Sequence, residues 1–246
     1  MNQELLVHES TYRKRNLVGL IHRNRLRAIQ RAFLRHVDPA TSSWVDFGCS
    51  NGFVIEEIVN MKRFSFTKLV GIDHSPELLD AARAKNIANA EFRFFDLNTV
   101  QAAPEQFDLV TCLETLEHVG NVESAIANLV EHVRPGGLLL LTVPNETGLP
   151  GLLKYGGRMA VRRNPYGDFF ARGSRADYVM HLLTYRRIDG FREPGRRGWG
   201  PHLGFDYRRM RDEIEARYVK TGRLAPMAED RTALGMNLLF LYRRRT

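Results

Sequence analysis

The sequence predicts an α/β fold: a doubly wound, mostly parallel sheet with helices on both faces and an inserted cap after the fifth strand. Three observations predict it. Apolar runs of strand length alternate with amphipathic runs of helix length from Trp44 to Val143. Such alternation builds strand–helix–strand units, whose crossovers cover both faces of a sheet. The first apolar run, from Trp44 to Phe47, enters a turn punctuated by Gly48 and Gly52 and leaves as an amphipathic run, the pattern of strand, tight turn and helix. An acid stands at four successive strand ends: Asp46, Asp73, Asp96 and Glu114. Ligands of open parallel sheets bind beyond the carboxyl ends of the strands, so these acids are expected to gather at one binding edge.

Composition narrows the class. A chain of 246 residues suits one domain with an insertion. Its longest apolar run, Leu138 to Val143, is far too short to span a bilayer. The opening Met-Asn-Gln-Glu has no basic or apolar leader region, so no secretory signal is expected. Two cysteines, Cys49 and Cys112, close strands and suggest a reducing, cytoplasmic setting without disulfides. Charge is uneven. Residues 42–147 carry 7 basic and 15 acidic groups, a net of −8, whereas residues 148–200 carry 11 and 4, a net of +7. Residues 1–41 and 201–246 are basic as well, at +5 and +4. The breaks divide the chain into a basic helical segment (1–41), an α/β core (42–147), an inserted cap (148–200) and a closing helix and hairpin (201–246). Basic flanks around an acidic core suggest an anionic partner: a phosphorylated substrate, a membrane surface or RNA. Arginines that merely solvate exposed helices account for the same pattern.

In chain order, residues 16–37 read as a basic helix. Leu17, Leu20, Ile21, Ile29, Phe33 and Leu34 make an imperfect stripe among Arg23, Arg25, Arg27, Arg31 and Arg35. It lids the binding edge, lies on an anionic surface or packs on the sheet edge with a solvated basic face; the last is the expectation. Asp38-Pro39 ends it. Residues 53–60 form a short helix. Lys68 to Asp73 is strand two, and Ser75-Pro76-Glu77 starts helix two with a cap, a proline and an acid. Asp73 therefore stands at a strand end about twenty residues past the glycines, where nucleoside-binding α/β domains place a carboxylate for the ribose hydroxyls. Glu91 to Phe95 is strand three, Phe107 to Cys112 strand four, residues 121–133 a helix, and Leu138 to Val143 strand five after an Arg134-Pro135-Gly136-Gly137 turn. Residues 148–200 break the rhythm. There Leu152, Leu153, Tyr155, Met159 and Val161 mix with Lys154, Arg158, Arg162 and Arg163, a blend that suits an anionic, partly apolar surface or an ordinary cap with its apolar side buried. A capped helix from Asp206 to about Ala216 and two strands, Tyr218 to Leu224 and Leu234 to Tyr242, complete the chain.

The turn selects the ligand. Gly48, Ser50 and Gly52 do not have the spacing of a dinucleotide fingerprint. Asp46 beside them is a poor neighbour for a pyrophosphate and a good one for an ammonium or sulfonium group. The stretch Asp46-Phe47-Gly48-Cys49-Ser50-Asn51-Gly52 resembles the first motif of class I S-adenosylmethionine-dependent methyltransferases, with Ser50 replacing the middle glycine, and Gly71-Ile72-Asp73-His74-Ser75-Pro76-Glu77 resembles the second. The resemblance covers residues 42–145 well and 201–216 loosely. It implies a Rossmann-like, seven-stranded sheet whose last two strands form a hairpin beside strand five. It also implies S-adenosylmethionine held by Asp46, Gly48, Cys49, Ser50, Gly52, Asp73, His74, Asp96, Leu97, Leu113 and Glu114, with Asp96 and Leu97 on the adenine.

Leu113-Glu114-Thr115-Leu116-Glu117-His118-Val119 is the second informative stretch. If it turns helically, Glu114, Glu117 and His118 share a face, and Pro201-His202 offers another imidazole. Two carboxylates and two imidazoles suit a divalent ion such as Mg2+ or Mn2+. Alternatively His118 or His202 is a general base, assisted by Glu117, or the Glu-His pair simply packs against the cofactor without any metal. Glu-x-x-Glu-His resembles two groups: the O-methyltransferases of ubiquinone biosynthesis, which act on membrane-borne phenols, and the small-RNA 2'-O-methyltransferases, whose metal site uses it. The expectation is O-methylation of a small or lipid-linked hydroxyl by a cytoplasmic protein, with a peripheral place on the inner membrane face as the alternative. An RNA 2'-O-methyltransferase is the first rival, though no aromatic RNA-stacking module is visible. A non-catalytic cofactor-binding scaffold is the second. His181 reads as a packed histidine rather than a ligand.

Overall fold

The computed structural model describes Tyr12, Arg15 and residues 17–100, 105–161, 173–192, 202–232 and 235–246. Asn16, Arg162, Arg163, Pro201 and Leu234 lie outside the described residues, as do the side chains of Leu17 and Val161. The elements run α1 (Leu17–His36), β1 (Ser43–Phe47), α2 (Phe53–Val59), β2 (Lys68–Asp73), α3 (Pro76–Ala84), β3 (Ala90–Phe94), β4 (Phe107–Leu113), α4 (Val122–His132), β5 (Val133–Pro144), α5 (Gly148–Val161), α6 (Arg175–Leu183), α7 (Tyr207–Ile214), β6 (Leu224–Arg231) and β7 (Asn237–Arg244). They build one seven-stranded sheet in the order β3-β2-β1-β4-β5-β7-β6. Strands β1 to β5 pair in parallel, and β7 runs antiparallel to both β5 and β6. Strand order reverses between β1 and β4, the switch point where such sheets open a ligand crevice.

Side chains alternate across β1, so Trp44 and Val45 enter different cores. On one face Ile29 and Phe33 of α1, Ile55 and Ile58 of α2 and Leu79 of α3 pack on Trp44, Leu69 and Leu109. On the other, Ile126 and Leu129 of α4 and Met210 and Ile214 of α7 pack on Val45, Phe47, Val110 and Leu139. Helix ends follow local chemistry. Ser75 caps α3 by accepting from the Leu78 N–H at 3.3 Å, with Pro76 at the first position, and Asn121 caps α4 through the Ser124 N–H at 3.0 Å. In the cap, α5 and α6 bury Tyr155, Tyr178 and Leu182 against Ile188, Phe191 and Leu203. Among the described residues no helix is long and apolar enough to cross a membrane, and both cysteines are buried free thiols.

Four expectations are corrected. Helix α1 lies on the sheet face rather than its edge, because the Phe33 ring packs 5.1 Å from Trp44 of a central strand; Leu20 and Leu34, counted in its stripe, are exposed. The Arg134-Pro135-Gly136-Gly137 stretch is not a turn before strand five but part of β5, absorbed where the pairing register shifts between Phe107 and Leu109. Tyr218 to Leu224 is not a strand. A wide turn of helix, Glu215–Val219, prolongs α7 and buries Tyr218 under α4, so β6 begins only at Leu224. The stretch after Leu113 is not helical in its first residue: Glu114 takes φ 55°, and its side chain turns away from His118.

Candidate active site

The glycine turn is built by the backbone. The N–H groups of Gly48 and Cys49 both donate to the Ile72 carbonyl, at 2.7 and 2.9 Å, which draws the turn over the end of β2. Gly48 has φ 77°, and a Cβ there would stand 2.1 Å from the Thr115 hydroxyl oxygen, so only glycine fits. Ser50 adopts φ 51°, a left-handed conformation unusual for a residue with a side chain. Its N–H donates to Asp73 Oδ2 at 2.9 Å. The Ser75 N–H donates to Asp73 Oδ1 at 3.0 Å, and His74 Nδ1 lies 3.3 Å from the same oxygen. Burial alone would raise the Asp73 pKa, but these three neighbours outweigh it and hold the carboxyl below its ordinary value. The acid is thus charged, fixed and at the rim of a cleft.

That cleft opens between the ends of β1, β2 and β4. Gly48, Asp73, Asp96, Leu97, Thr115 and His118 line it, with His74 at its rim. Asp96 Oδ1 accepts from the Asn98 N–H at 2.9 Å and from its side-chain amide at 2.7 Å. Asn98 in turn accepts from the Asn121 N–H at the start of α4, which fastens the loop. Asp46 is buried beneath the turn and accepts from the Thr111 hydroxyl at 2.5 Å. Burial pushes its pKa up to about 7 against that hydrogen bond, with Asp73 adding to the rise. Cys49 is buried in the core that α1, α2 and α3 form on the sheet, and Leu113 is partly buried against the same core.

Glu114 is committed to a different set from the one expected. Its Oε2 accepts from Arg25 Nη1 at 3.1 Å and from Asn237 Nδ2 at 2.6 Å. Arg25 is buried, and its Nη2 donates to the Tyr12 hydroxyl at 2.7 Å. Burial works against the guanidinium charge, yet the Tyr12 and Glu114 oxygens hold its pKa above the usual value. Glu114 therefore does not join Glu117, His118 and His202 as a fourth metal ligand, as the helical reading expected. Those three do converge, with one possible ligand atom from each within 4.8 Å of the others. The His118 and His202 rings meet edge to face at 4.3 Å.

Glu117 is fully buried, and neither of its carboxyl oxygens receives a hydrogen bond. Burial first, and the neighbouring Glu114 second, raise its pKa well above that of an ordinary glutamate. The cap closes over it. Arg192 Nη2 donates to the Glu117 and Val119 carbonyls at 2.7 and 3.1 Å. Glu146, at the foot of α5, is buried and pairs with Arg158 at 2.6 Å and Lys154 at 3.4 Å. Burial pushes His202 down to about 4; Glu146 opposes this, while Arg158, Lys154 and Arg192 add to it. His202 is therefore a neutral imidazole at neutral pH. His181 is a packed histidine, with Nδ1 2.6 Å from the Arg187 carbonyl oxygen and its ring on Phe191.

Sequence reasoning missed Arg25, Tyr12, Asn237, Glu146 and Arg192. Arg25 was one of five arginines in a helix, and only packing shows which of them turns inward. Glu146 carried a usable signal: it is an acid two residues beyond the fifth strand, close to the place that Glu114 holds directly after β4.

A family model described as a methyltransferase domain matches residues 18–184, which takes in α1, the parallel strands and the cap helices. The chain belongs to the methyltransferase-domain family. Curated relatives of this methyltransferase domain include ubiquinone biosynthesis O-methyltransferases. That of Rickettsia prowazekii (strain Madrid E) is 26% identical over 151 residues, 57% of this chain and 57% of the relative. That of Stutzerimonas stutzeri (strain A1501) is 31% identical over 152 residues, 60% of this chain and 56% of the relative. The chain thus spans little more than half the length of these curated relatives. Among solved structures, a magnesium protoporphyrin IX methyltransferase from Synechocystis PCC 6803 with bound SAH matches the methyltransferase fold with a TM-score of 0.59 at 15% identity, over 94% of this chain and 89% of that one.

Proposed function

We propose that the chain transfers a methyl group from S-adenosylmethionine to a hydroxyl oxygen of a small phenolic or lipid-linked acceptor. One observation carries the reading: His118 lines the cleft beside Asp73 and Asp96 and also meets His202, in the loop between the cap and α7. It therefore stands where a cofactor and an acceptor would adjoin. The curated relatives are ubiquinone biosynthesis O-methyltransferases, which agrees with oxygen as the target.

The residues present suit the cofactor. A carboxylate offers about four lone-pair sites. Asp73 uses three of these directions on Ser50, Ser75 and His74, which leaves room for a ribose hydroxyl. Asp96 and Leu97 suit the adenine edge. Arg25 and Glu114 present a cation and an anion side by side for the carboxylate and ammonium of the amino-acid end. Gly48, Cys49, Ser50 and Gly52 keep the turn free of bulk, and Asp46 lies below it. When bound, the cofactor supplies an electrophilic methyl on a sulfonium. The chain would orient the acceptor oxygen towards it, and His118 would take the proton from the acceptor hydroxyl. His202, neutral and edge-on, holds the His118 ring.

A divalent ion is a second reading favoured by the donorless Glu117 carboxylate within reach of two imidazoles. Glu117, His118 and His202 would hold Mg2+ or Mn2+, and the ion would acidify the acceptor hydroxyl. The small-RNA reading is weaker, since Glu114 of its ligand quartet is engaged by Arg25 and Asn237. We also infer a site of action at an anionic membrane face. Leu149 and Leu153 of α5 and Met180 and Leu183 of α6 are more than half exposed on the outward sides of two packed helices, in a segment of net charge +7.

The test is turnover by His118→Gln with a catechol acceptor, with and without Mg2+. A fall in kcat of about 100-fold at unchanged cofactor affinity is expected. Unchanged kcat removes His118 from the chemistry, and dependence on the metal in the wild type promotes the ion.

A further inference from the structure

Tyr12 is a buried aromatic ahead of α1, only 4% exposed. Its ring packs 4.7 Å from Phe53, the first residue of α2 after the glycine turn, and 5.3 Å from His22. Arg23 Nη1 donates to its carbonyl at 2.9 Å. Its hydroxyl accepts from Arg25 Nη2 at 2.7 Å, and the guanidinium lies 5.6 Å from the centre of its ring. The other end of the same guanidinium reaches Glu114. Two oxygens at this junction, Glu114 Oε1 and Asn237 Oδ1, are buried and receive no hydrogen bond. Such acceptors are costly to bury unless a donor arrives. The junction thus offers a fixed cation beside acceptors that need a donor, which is the complement of a zwitterionic amino acid.

We propose that Tyr12 is a positioning residue for the amino-acid end of the cofactor. It pins Nη2 of Arg25, so the guanidinium stays turned towards Glu114, and its ring seals the junction against Phe53. A long arginine side chain held in its binding geometry before the ligand arrives spares the ordering cost that a free one meets on binding. Tyr12→Phe removes the acceptor oxygen and keeps the ring, so packing on Phe53 survives. The proposal rests on the assignment of Arg25 and Glu114 to the cofactor, and the experiment separates the two.

The experiment measures calorimetric affinity of the full chain for S-adenosylhomocysteine and for 5'-methylthioadenosine, which keeps the nucleoside and thioether but lacks the amino-acid end. The wild type should prefer S-adenosylhomocysteine by more than about tenfold. In Tyr12→Phe that affinity should fall about fivefold while the 5'-methylthioadenosine affinity stays within twofold. The ratio is insensitive to a general loss of folded protein, which lowers both. An unchanged ratio in Tyr12→Phe overturns the proposal. A wild type that binds both nucleosides equally, or neither, overturns the cofactor assignment and the proposal with it. In Arg25→Gln the ratio should collapse, and adding Tyr12→Phe should lower it no further; a further fall shows that Tyr12 does not act through Arg25.

Discussion

Replacing Asp73 with asparagine tests the cofactor edge with the least change in shape. The native carboxylate takes the Ser50 N–H on one oxygen and the Ser75 N–H and His74 on the other. An amide has one acceptor, so its NH2 must face one of the two backbone donors. That leaves one half-buried N–H without a partner, at a cost of about 1–3 kcal/mol in stability. Binding suffers separately. A ribose hydroxyl that met a charged acceptor would meet a neutral one or a donor, a loss of about 2 kcal/mol or roughly 30-fold in Kd. Calorimetric titration with S-adenosylhomocysteine, well below the melting temperature, isolates the second effect, and a thermal melt reads the first. A Kd within twofold of wild type would refute the ribose assignment. An unchanged melt would refute the hydrogen-bond pattern itself.

Three further outcomes are expected. Gly48→Ala should lower stability by at least about 2 kcal/mol in urea unfolding, because its Cβ meets the Thr115 side chain and its φ of 77° is left-handed; an unaltered midpoint contradicts this. Asp46 keeps its proton up to about pH 7 when folded, whereas the unfolded chain releases it near 3.8. Over that window the folded state binds more protons, so Asp46 contributes stability at low pH that is lost as pH rises. Asp46→Asn should therefore gain on wild type by about 4 kcal/mol between pH 4 and pH 8, and parallel melting curves across that range contradict the burial argument. Finally, Leu149→Glu with Leu183→Glu should abolish co-sedimentation with vesicles rich in phosphatidylglycerol at low salt; persistent co-sedimentation, or none by the wild type, removes the membrane face.

The sheet was legible because its signals are local and periodic. Trp44 to Phe47, Lys68 to Asp73 and Leu138 to Val143 read as strands in place, and Asp46 and Asp73 lie at the carboxyl ends of theirs. The end of the chain was harder. Tyr218 looks like a strand residue, but it sits in the wide helical turn after α7 and is buried in the core that α4 and α7 share. The gathering of Gly48, Asp73 and His118 along one cleft was legible, because each stands at or just past a strand end. It was illegible where residues from distant stretches share one hydrogen-bond set. Nothing local tells Arg25 from Arg27, yet one is buried on Glu114 and the other faces water. Glu114 itself went astray for a geometric reason: a single left-handed residue after β4 redirected its side chain.

The central claim is that oxygen receives the methyl group. Incubation of the protein with S-adenosylmethionine labelled with carbon-13 on the methyl, together with a prenylated catechol in anionic vesicles, tests it most directly. The account predicts S-adenosylhomocysteine released in step with a product whose labelled carbon resonates in the range of an aryl methyl ether. A label found on nitrogen or carbon, or tight S-adenosylhomocysteine binding with no transfer to any hydroxyl acceptor, would contradict it.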